Sequence, residues 1–185
     1  MGQRATRRSP SGDDGASAVE FALLLPVFAM LVFGMISAGF AFQAWLSATH
    51  GAQETARFAA TLSVPASGGS TSTWLTSVGQ RAMVAGSLGT SSNAIPGTQV
   101  CVALFAQGNV PKVDPASKVV LTADSAGTVT AAYSTGPCAG MPAPSGTDWV
   151  QVFLSRPAAF NYILGSATVT VAGKSSSRFE AVSLS

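Results

Sequence analysis

The side chains that could carry out chemistry are few in this sequence, and their spacing does not form a catalytic set. The chain has one histidine, His50, which excludes a metal site built on several imidazoles and any catalytic set that needs a second histidine. Asp114, Asp124 and Asp148 lack the spacing of a calcium loop. The glycines of residues 86–93 are not followed by the Lys-Thr pair of a phosphate-binding loop. We therefore expect no enzyme activity, no metal and no cofactor.

The two cysteines, Cys101 and Cys138, are too far apart in sequence for a C-x-x-C redox pair. A structural disulfide between them is the better prediction, because an oxidising compartment outside the cytoplasm would allow them to pair. On the chain-entropy model, a closed loop of this length would stabilise the fold by roughly 3 to 4 kcal/mol.

Glu20 is a carboxylate at the start of a long uncharged segment. No residue from Phe21 to Gln53 carries a formal charge, and residues 21–46 are long and apolar enough for a helix to cross the roughly 30 Å hydrocarbon core of a bilayer. A charged side chain taken into hydrocarbon costs several kcal/mol unless it is paired or reaches interfacial water. Glu20 therefore needs a partner or a position near the headgroups.

The charges that flank this span predict its orientation. Arg4, Arg7 and Arg8 precede it, so the positive-inside bias keeps the N-terminus in the cytoplasm and places the chain after residue 46 outside. That outer part is rich in Gly, Ser, Thr, Ala and Pro and sparsely charged. The formal net charge of +2 and the lack of a basic cluster beyond the leader argue against a nucleic-acid partner.

The helical pattern continues past the span, so we predict one helix over residues 16–62 with an aqueous half at 47–62. One face of the aqueous half is polar and holds His50, Gln53, Glu54, Arg57 and Thr61. The opposite face holds Trp45, Ala48, Ala52, Ala56 and Ala59. Small residues at three- and four-residue steps form a helix-packing seam, where another backbone could approach closely. Its members include Gly34, Ala38, Ala41, Ala48, Gly51 and Ala52.

The remaining sequence predicts a small outer domain at residues 74–185 after a linker at 63–73. Residues 74–88 have the pattern of a short second helix. Short β-branched runs follow, and some alternate as a half-buried antiparallel sheet requires. They lie at residues 98–107, 118–122, 128–133, 148–154, 167–171 and 178–183. The predicted fold is α+β, a long N-terminal helix packed on a small antiparallel sheet, with Trp74, Trp149 and Phe153 in the core.

The N-terminal segment GASAVEFALLLPVF and the later ETARFAA resemble the TadE-like proteins, minor pseudopilins of the tight-adherence (Tad/Flp) pilus within the type IV pilin superfamily. That family has a basic leader ending in Gly, a small first mature residue, Glu at the fifth mature position followed by an aromatic residue, a Leu-Pro in the apolar run, and a later Ala-Arg-aromatic-Ala. This chain carries these features at Arg7 and Arg8, Gly15, Ala16, Glu20 and Phe21, Leu25 and Pro26, and residues 56–59.

The resemblance implies a bacterial inner-membrane protein whose leader, residues 1–15, is removed by a prepilin peptidase between Gly15 and Ala16. The new ammonium at Ala16 would then pair with Glu20 of a neighbouring subunit, so that a shift in register leaves both charges unpaired. Phe21 and Pro26 would belong to the same assembly region. The implied partners are the prepilin peptidase, other pilins and pseudopilins, inner-membrane pilus assembly proteins and membrane lipid.

Three alternatives remain open from the sequence. The first is a relative of the TadG-like proteins that stays anchored in the membrane without being cut. The second is a secreted binding protein whose signal peptide is cleaved after Ala41, where Gly39, Phe40 and Ala41 form a small-x-small site. The third, a membrane-tethered hydrolase, lacks a catalytic set. The N-terminal residue of the mature protein distinguishes the first two from a processed pseudopilin.

Overall fold

The structure is a computed structural model, and it describes residues 13–62, 71–105, 118–144, 149–162 and 165–178. Helix α1 spans Asp13–Thr61 and helix α2 spans Thr71–Ala85. The strands are β1 (Gly89–Thr90), β2 (Asn93–Ala94), β3 (Gln99–Phe105), β4 (Lys118–Ala123), β5 (Val129–Ser134), β6 (Trp149–Tyr162) and β7 (Gly165–Arg178).

Five strands form one antiparallel sheet in the order β5-β4-β3-β6-β7, and β1 and β2 pair in a separate small hairpin. Strands β6 and β7 are paired along their whole length, from Trp149 opposite Arg178 to Tyr162 opposite Gly165. Strand β3 accompanies β6 only as far as the pair Gln99 and Ser155. The outer part of the β6–β7 hairpin therefore extends beyond the rest of the sheet.

The core lies between the two helices and one face of the sheet. Alternate residues of β6, Val150, Val152 and Leu154, are fully buried there, as expected for a strand with one face on a core. Helix α2 contributes residues at helical spacing, among them Leu75 and Val78. The C-terminal half of α1 completes this core with Ala48, Ala52, Ala56 and Ala59.

The α+β class predicted from the sequence is confirmed: a long N-terminal helix is combined with an antiparallel sheet. The predicted polar face of the aqueous half is exposed at all five positions. The four alanines of the opposite face are buried. Trp45 was predicted on the same face as these alanines, but its side chain is 44% exposed. Trp149 and Phe153 are half-buried, and their β6 positions alternate with those of the core residues. Trp74 lies in the core.

Several element bounds differ from the prediction. Helix α1 already includes residues 13–15, which were assigned to the leader, whereas residues 1–12 lie outside the described residues. Helix α2 begins within the predicted linker, at Thr71, whose side chain is buried, so packing on the core favours a helix that composition does not predict. Of the predicted linker, residues 63–70 lie outside the described residues, as does most of the predicted last strand.

Strand β6 continues eight residues beyond its predicted end and passes through Pro157. Proline cannot donate a hydrogen bond to a neighbouring strand and is therefore found at sheet edges. After Ser155, β7 is the one strand paired with β6 within the described residues. At Pro157, the other edge of β6 therefore has no neighbouring strand that would need a proline amide. The β1–β2 hairpin, formed by the glycine-containing segment at 86–93 and the next residue, was not predicted.

Candidate functional site

The long helix α1 has two parts with opposite surroundings, and this difference defines the candidate site. Every residue from Gly15 to Phe28 is exposed. The uncovered part continues to about Phe40, and its large apolar side chains are among the most exposed of that kind in the described part of the chain, with Leu23 at 71% and Met35 at 72%. From Ala44 onward, one face of α1 is buried by the chain's own domain. The N-terminal part is therefore a long apolar surface that the described part of the chain leaves uncovered.

This surface has the length and composition of a membrane span. Among the described residues, α1 is the one helix that is long and apolar enough to cross a bilayer. Pro26 lies inside this helix, and α1 continues through it without a break. The structure thus supports a membrane anchor, as the sequence predicts.

The predicted processing residues lie at the start of α1. Gly15 and Ala16 are in the first turn and are exposed. A side chain added at Gly15 would meet no atom within 4 Å. The fold therefore does not require glycine at this position. Because the first four amides of a helix have no intrahelical partner, unwinding this turn to expose the peptide bond breaks few hydrogen bonds.

Glu20 and Phe21 lie about one turn further along α1, on its uncovered part. The ion pair formed within the described residues joins Glu54 and Arg81, so Glu20 has no salt-bridge partner there. Its predicted role in pairing with the N-terminus of another subunit remains a prediction. What the structure supplies is a carboxylate at the end of an apolar helix that its own domain does not cover.

The predicted packing seam is divided between the two parts of α1. Gly34 and Ala38 are exposed, Ala41 is half-buried, and Ala48 and Ala52 are fully buried. Packing of the exposed members against another subunit remains a prediction. The buried members are covered by the chain's own α2 and sheet.

Two glycine contacts bring other backbones close to the buried part of the seam. A Cβ atom at Gly51 would lie 2.5 Å from the Cα atom of Gly86, at the end of α2. A Cβ atom at Gly173 of β7 would collide with the backbone carbonyl of Ala48. These two contacts fix α2 and β7 against α1. The spacing of small residues identified Gly51 in advance, but Gly86 and Gly173 required the tertiary structure.

An exposed cluster of side chains also links α1 to α2. The Arg81 guanidinium donates a hydrogen bond to the Glu54 carboxylate at 3.1 Å and lies 5.4 Å from the centre of the Phe58 ring. Arg81 and Phe58 border a shallow groove between the helices. Its lining consists of Phe58, Leu62, Ser77, Gln80, Arg81 and Val84.

The two cysteines are joined as predicted, with their Cα atoms 5.8 Å apart. The disulfide attaches the segment around Cys138 to β3, which contains Cys101. Both cysteines are buried. Lys174 donates a hydrogen bond to the Gly140 carbonyl at 2.9 Å, and Gln151 donates one to the Pro142 carbonyl at 2.7 Å. This segment is therefore attached to the sheet at several points. Sequence reasoning identified the disulfide but not the two side chains that assist it.

The other residues considered for a catalytic or metal-binding role are the aspartates and the histidine. Asp124 accepts backbone hydrogen bonds from Ala126 and Thr128 and so closes the turn between β4 and β5. His50 is exposed on α1. Asp114 and Asp148 lie outside the described residues. Within the described residues, no group of three or more His, Cys, Asp or Glu side chains is arranged to hold a metal ion.

Comparison with known proteins gives one family. The model of the family described as TadE-like protein matches residues 15–57. This segment contains the uncovered part of α1 and most of its packed part, and the TadE-like resemblance is thereby confirmed over it. Helix α2 and the sheet lie outside the match. Comparisons with curated proteins and with solved structures gave no match.

Proposed function

We propose that this chain is a minor pseudopilin of a tight-adherence pilus assembly system, cut by a prepilin peptidase after Gly15 and assembled through α1. The observation that carries the proposal is the uncovered apolar part of α1 within the TadE-like segment. Fully burying one large apolar side chain is worth about 1.5–3 kcal/mol. A helix that exposes Phe21, Leu24, Phe28 and their neighbours therefore requires a bilayer or other helices around it.

The proposed location is the bacterial inner membrane, with the N-terminus in the cytoplasm and the domain outside. Three arginines precede the span, whereas the disulfide belongs to the domain after it. Positive residues favour the cytoplasmic side, and disulfides persist in oxidising compartments. In this orientation Gly15 lies where a cytoplasmic-side peptidase would cut.

The secreted alternative, with cleavage after Ala41, needs a direct test. The buried seam from Ala44 to Ala59 packs on the chain's own domain, so it would be retained after such a cleavage. The continuous family match on both sides of Ala41 supports the retained helix. Residues 21–46 are also longer than the roughly 7 to 15 apolar residues of an ordinary signal peptide.

The deciding experiment is to determine the N-terminal residue of the membrane-extracted protein in cells with and without a prepilin peptidase. A peptidase-dependent start at Ala16 is the expected result. A start at Phe42 would show a secreted protein, and an uncut chain in both strains would show a permanent anchor, as in the TadG-like alternative. Intact mass and terminal sequencing distinguish the three.

A matched pair of variants isolates the role of Gly15. Gly15→Ala adds a methyl group that meets no atom within 4 Å, and Gly39→Ala makes the same exchange elsewhere in α1 with equal space. We expect Gly15→Ala to accumulate uncut and Gly39→Ala to be processed normally. Normal processing of Gly15→Ala would contradict cleavage by an enzyme that requires glycine there.

Glu20 is tested by separating processing from assembly. We expect Glu20→Ala and Glu20→Gln to be cut normally but to lose co-purification with other pilus subunits, because both lack the charge that would pair with the Ala16 ammonium. Glu20→Asp retains the charge and should recover part of the association. If Glu20→Gln assembles as well as the unaltered chain, the charge has no role in assembly.

A further inference from the structure

The β6–β7 hairpin extends beyond the rest of the sheet, and the inference drawn from this extension rests on the anchored form of the proposed function. Beyond the pair Gln99 and Ser155, the hairpin has left the rest of the sheet. From Gly173 to its end at Gly165 the hairpin extends on the order of 25 Å, at about 3.3 Å per residue. The position of this outer part relative to the membrane depends on the direction in which it points along α1.

The burial of residues along α1 shows in which direction the outer part of the hairpin points. Strands β6 and β7 are the strands that pack extensively on α1, and Gly173 contacts α1 at Ala48. On the N-terminal side of that contact, Ala44 is buried and Ala41 is half-buried. Helix α2 does not cover them, because it already ends near Gly51. The outer part of the hairpin therefore lies beside α1 on the side of the membrane span.

The length of the span then places this region at the membrane surface. About 20 helical residues cross the hydrocarbon core. Counted from Glu20, the core is crossed at about Phe40. Phe42 and Trp45 follow immediately, both exposed, with their ring centres 5.7 Å apart. Tryptophan is enriched at this level of a bilayer, which agrees with the position of Trp45.

The composition of the hairpin agrees with this level. Residues 157–162 and 165–171 carry no formal charge, and Val169 is 48% exposed. The nearest charged residues on the two strands are Arg156 and Lys174, which lie farther from the hairpin tip than this uncharged stretch. An uncharged tip with basic residues behind it suits the bilayer interface, where apolar groups meet polar headgroups.

The backbone groups of β7 limit how deeply the hairpin can enter the bilayer. Strand β7 is an edge of the sheet, so the outward amides and carbonyls of residues 165–172 have no strand partner in the described part of the chain. Such groups are not tolerated in hydrocarbon but are satisfied by water and headgroups. We propose that the outer part of the β6–β7 hairpin rests in the headgroup region of the outer leaflet, beside Phe42 and Trp45, and holds the domain at a fixed orientation to the bilayer.

The test uses spin labels on the full chain in phospholipid nanodiscs that contain anionic lipid. The sequence holds two cysteines and both are in the disulfide, so one introduced cysteine gives one labelled site. Thr168→Cys places the label on the outer part of β7. Ser176→Cys is the matched control, because it is also exposed, lies on the same face of β7 and is on the order of 25 Å away along the strand. Leu31→Cys reports the span itself.

The measurement is the accessibility of each label to oxygen, which enriches in lipid, and to a water-soluble nickel complex. We expect the Thr168 site to show severalfold lower nickel accessibility than the Ser176 site, with oxygen accessibility retained. Shielding by protein alone would lower both. Equal accessibilities at the two sites, with Leu31 shielded from nickel, would overturn the hairpin proposal and leave the anchor intact. A nickel-accessible Leu31 would overturn both.

Discussion

The contact between α1 and α2 at Gly51 predicts a large effect from a single methyl group. In Gly51→Ala the added Cβ atom would lie 2.5 Å from the Cα atom of Gly86 and 2.9 Å from the carbonyl carbon of Ala85. Both atoms belong to the backbone, so no side-chain rotation can relieve the clash. The two helices would have to separate by about 1 Å to restore ordinary carbon contacts.

The magnitude follows from two opposing effects. Overpacking a tightly packed core costs about 1–3 kcal/mol, and a backbone clash belongs at the upper end of that range. Replacing glycine by alanine inside a helix stabilises the folded state by up to about 1 kcal/mol, because alanine has the higher helix propensity. We therefore expect Gly51→Ala to lower the free energy of unfolding by about 2 kcal/mol. For a chain of this size that corresponds to a decrease in Tm of about 4–8 °C.

The assay is urea unfolding of the full chain in detergent micelles, followed by tryptophan fluorescence, because Trp74 lies in the core close to α2's start. Gly34→Ala is the matched control, since it makes the same exchange in the same helix with no atom within 4 Å. It should leave the transition unchanged or slightly stabilised. An unchanged midpoint in Gly51→Ala would refute the close approach of α1 and α2, and equal destabilisation by both variants would refute its assignment to Gly86.

Two further predictions concern the domain. Replacing both Cys101 and Cys138 by alanine should lower the free energy of unfolding by roughly 3 to 4 kcal/mol, as measured by urea unfolding, and a reducing agent should destabilise the unaltered chain but not the variant. Glu54→Gln should lower stability by less than about 1 kcal/mol, because the ion pair with Arg81 is about half exposed on both sides and screened by water. A loss above 2 kcal/mol in Glu54→Gln would contradict that estimate.

The sequence predicts the parts of this fold that depend on local periodicity. The span, the polar face around Glu54 and the alternation in β6 are all visible as repeating patterns. The close approaches at Gly51 and Gly173 depend on which elements meet in space, and the sequence alone does not identify Gly86 or Ala48 as their partners. The extension of β6 through Pro157 was missed for a related reason, since proline is excluded only where a second neighbouring strand needs its amide.

The candidate site was predicted to a similar extent. Glu20 and Gly15 were found from their spacing relative to the apolar run, which is also the segment that matches the TadE-like family. The seam was found as a pattern, but its division into an exposed part and a part packed on the domain was not. Small residues permit close packing against any backbone, so their spacing cannot specify whether that backbone belongs to the same chain.

That division has a mechanical consequence for the proposed function. Gly51 and Gly173 hold α1 tightly against α2 and β7, so the packed part of α1 moves with the domain as one body. The uncovered part continues the same helix without a break from Ala44 back to Gly15. Extraction of the span from the bilayer into an assembly would therefore have to lift the domain as well, and with it the hairpin from the membrane surface. A subunit that left the bilayer would exchange the lipid contacts of the span and of the hairpin for contacts with other subunits, and Gly34 and Ala38 are exposed small residues of the seam that could form them.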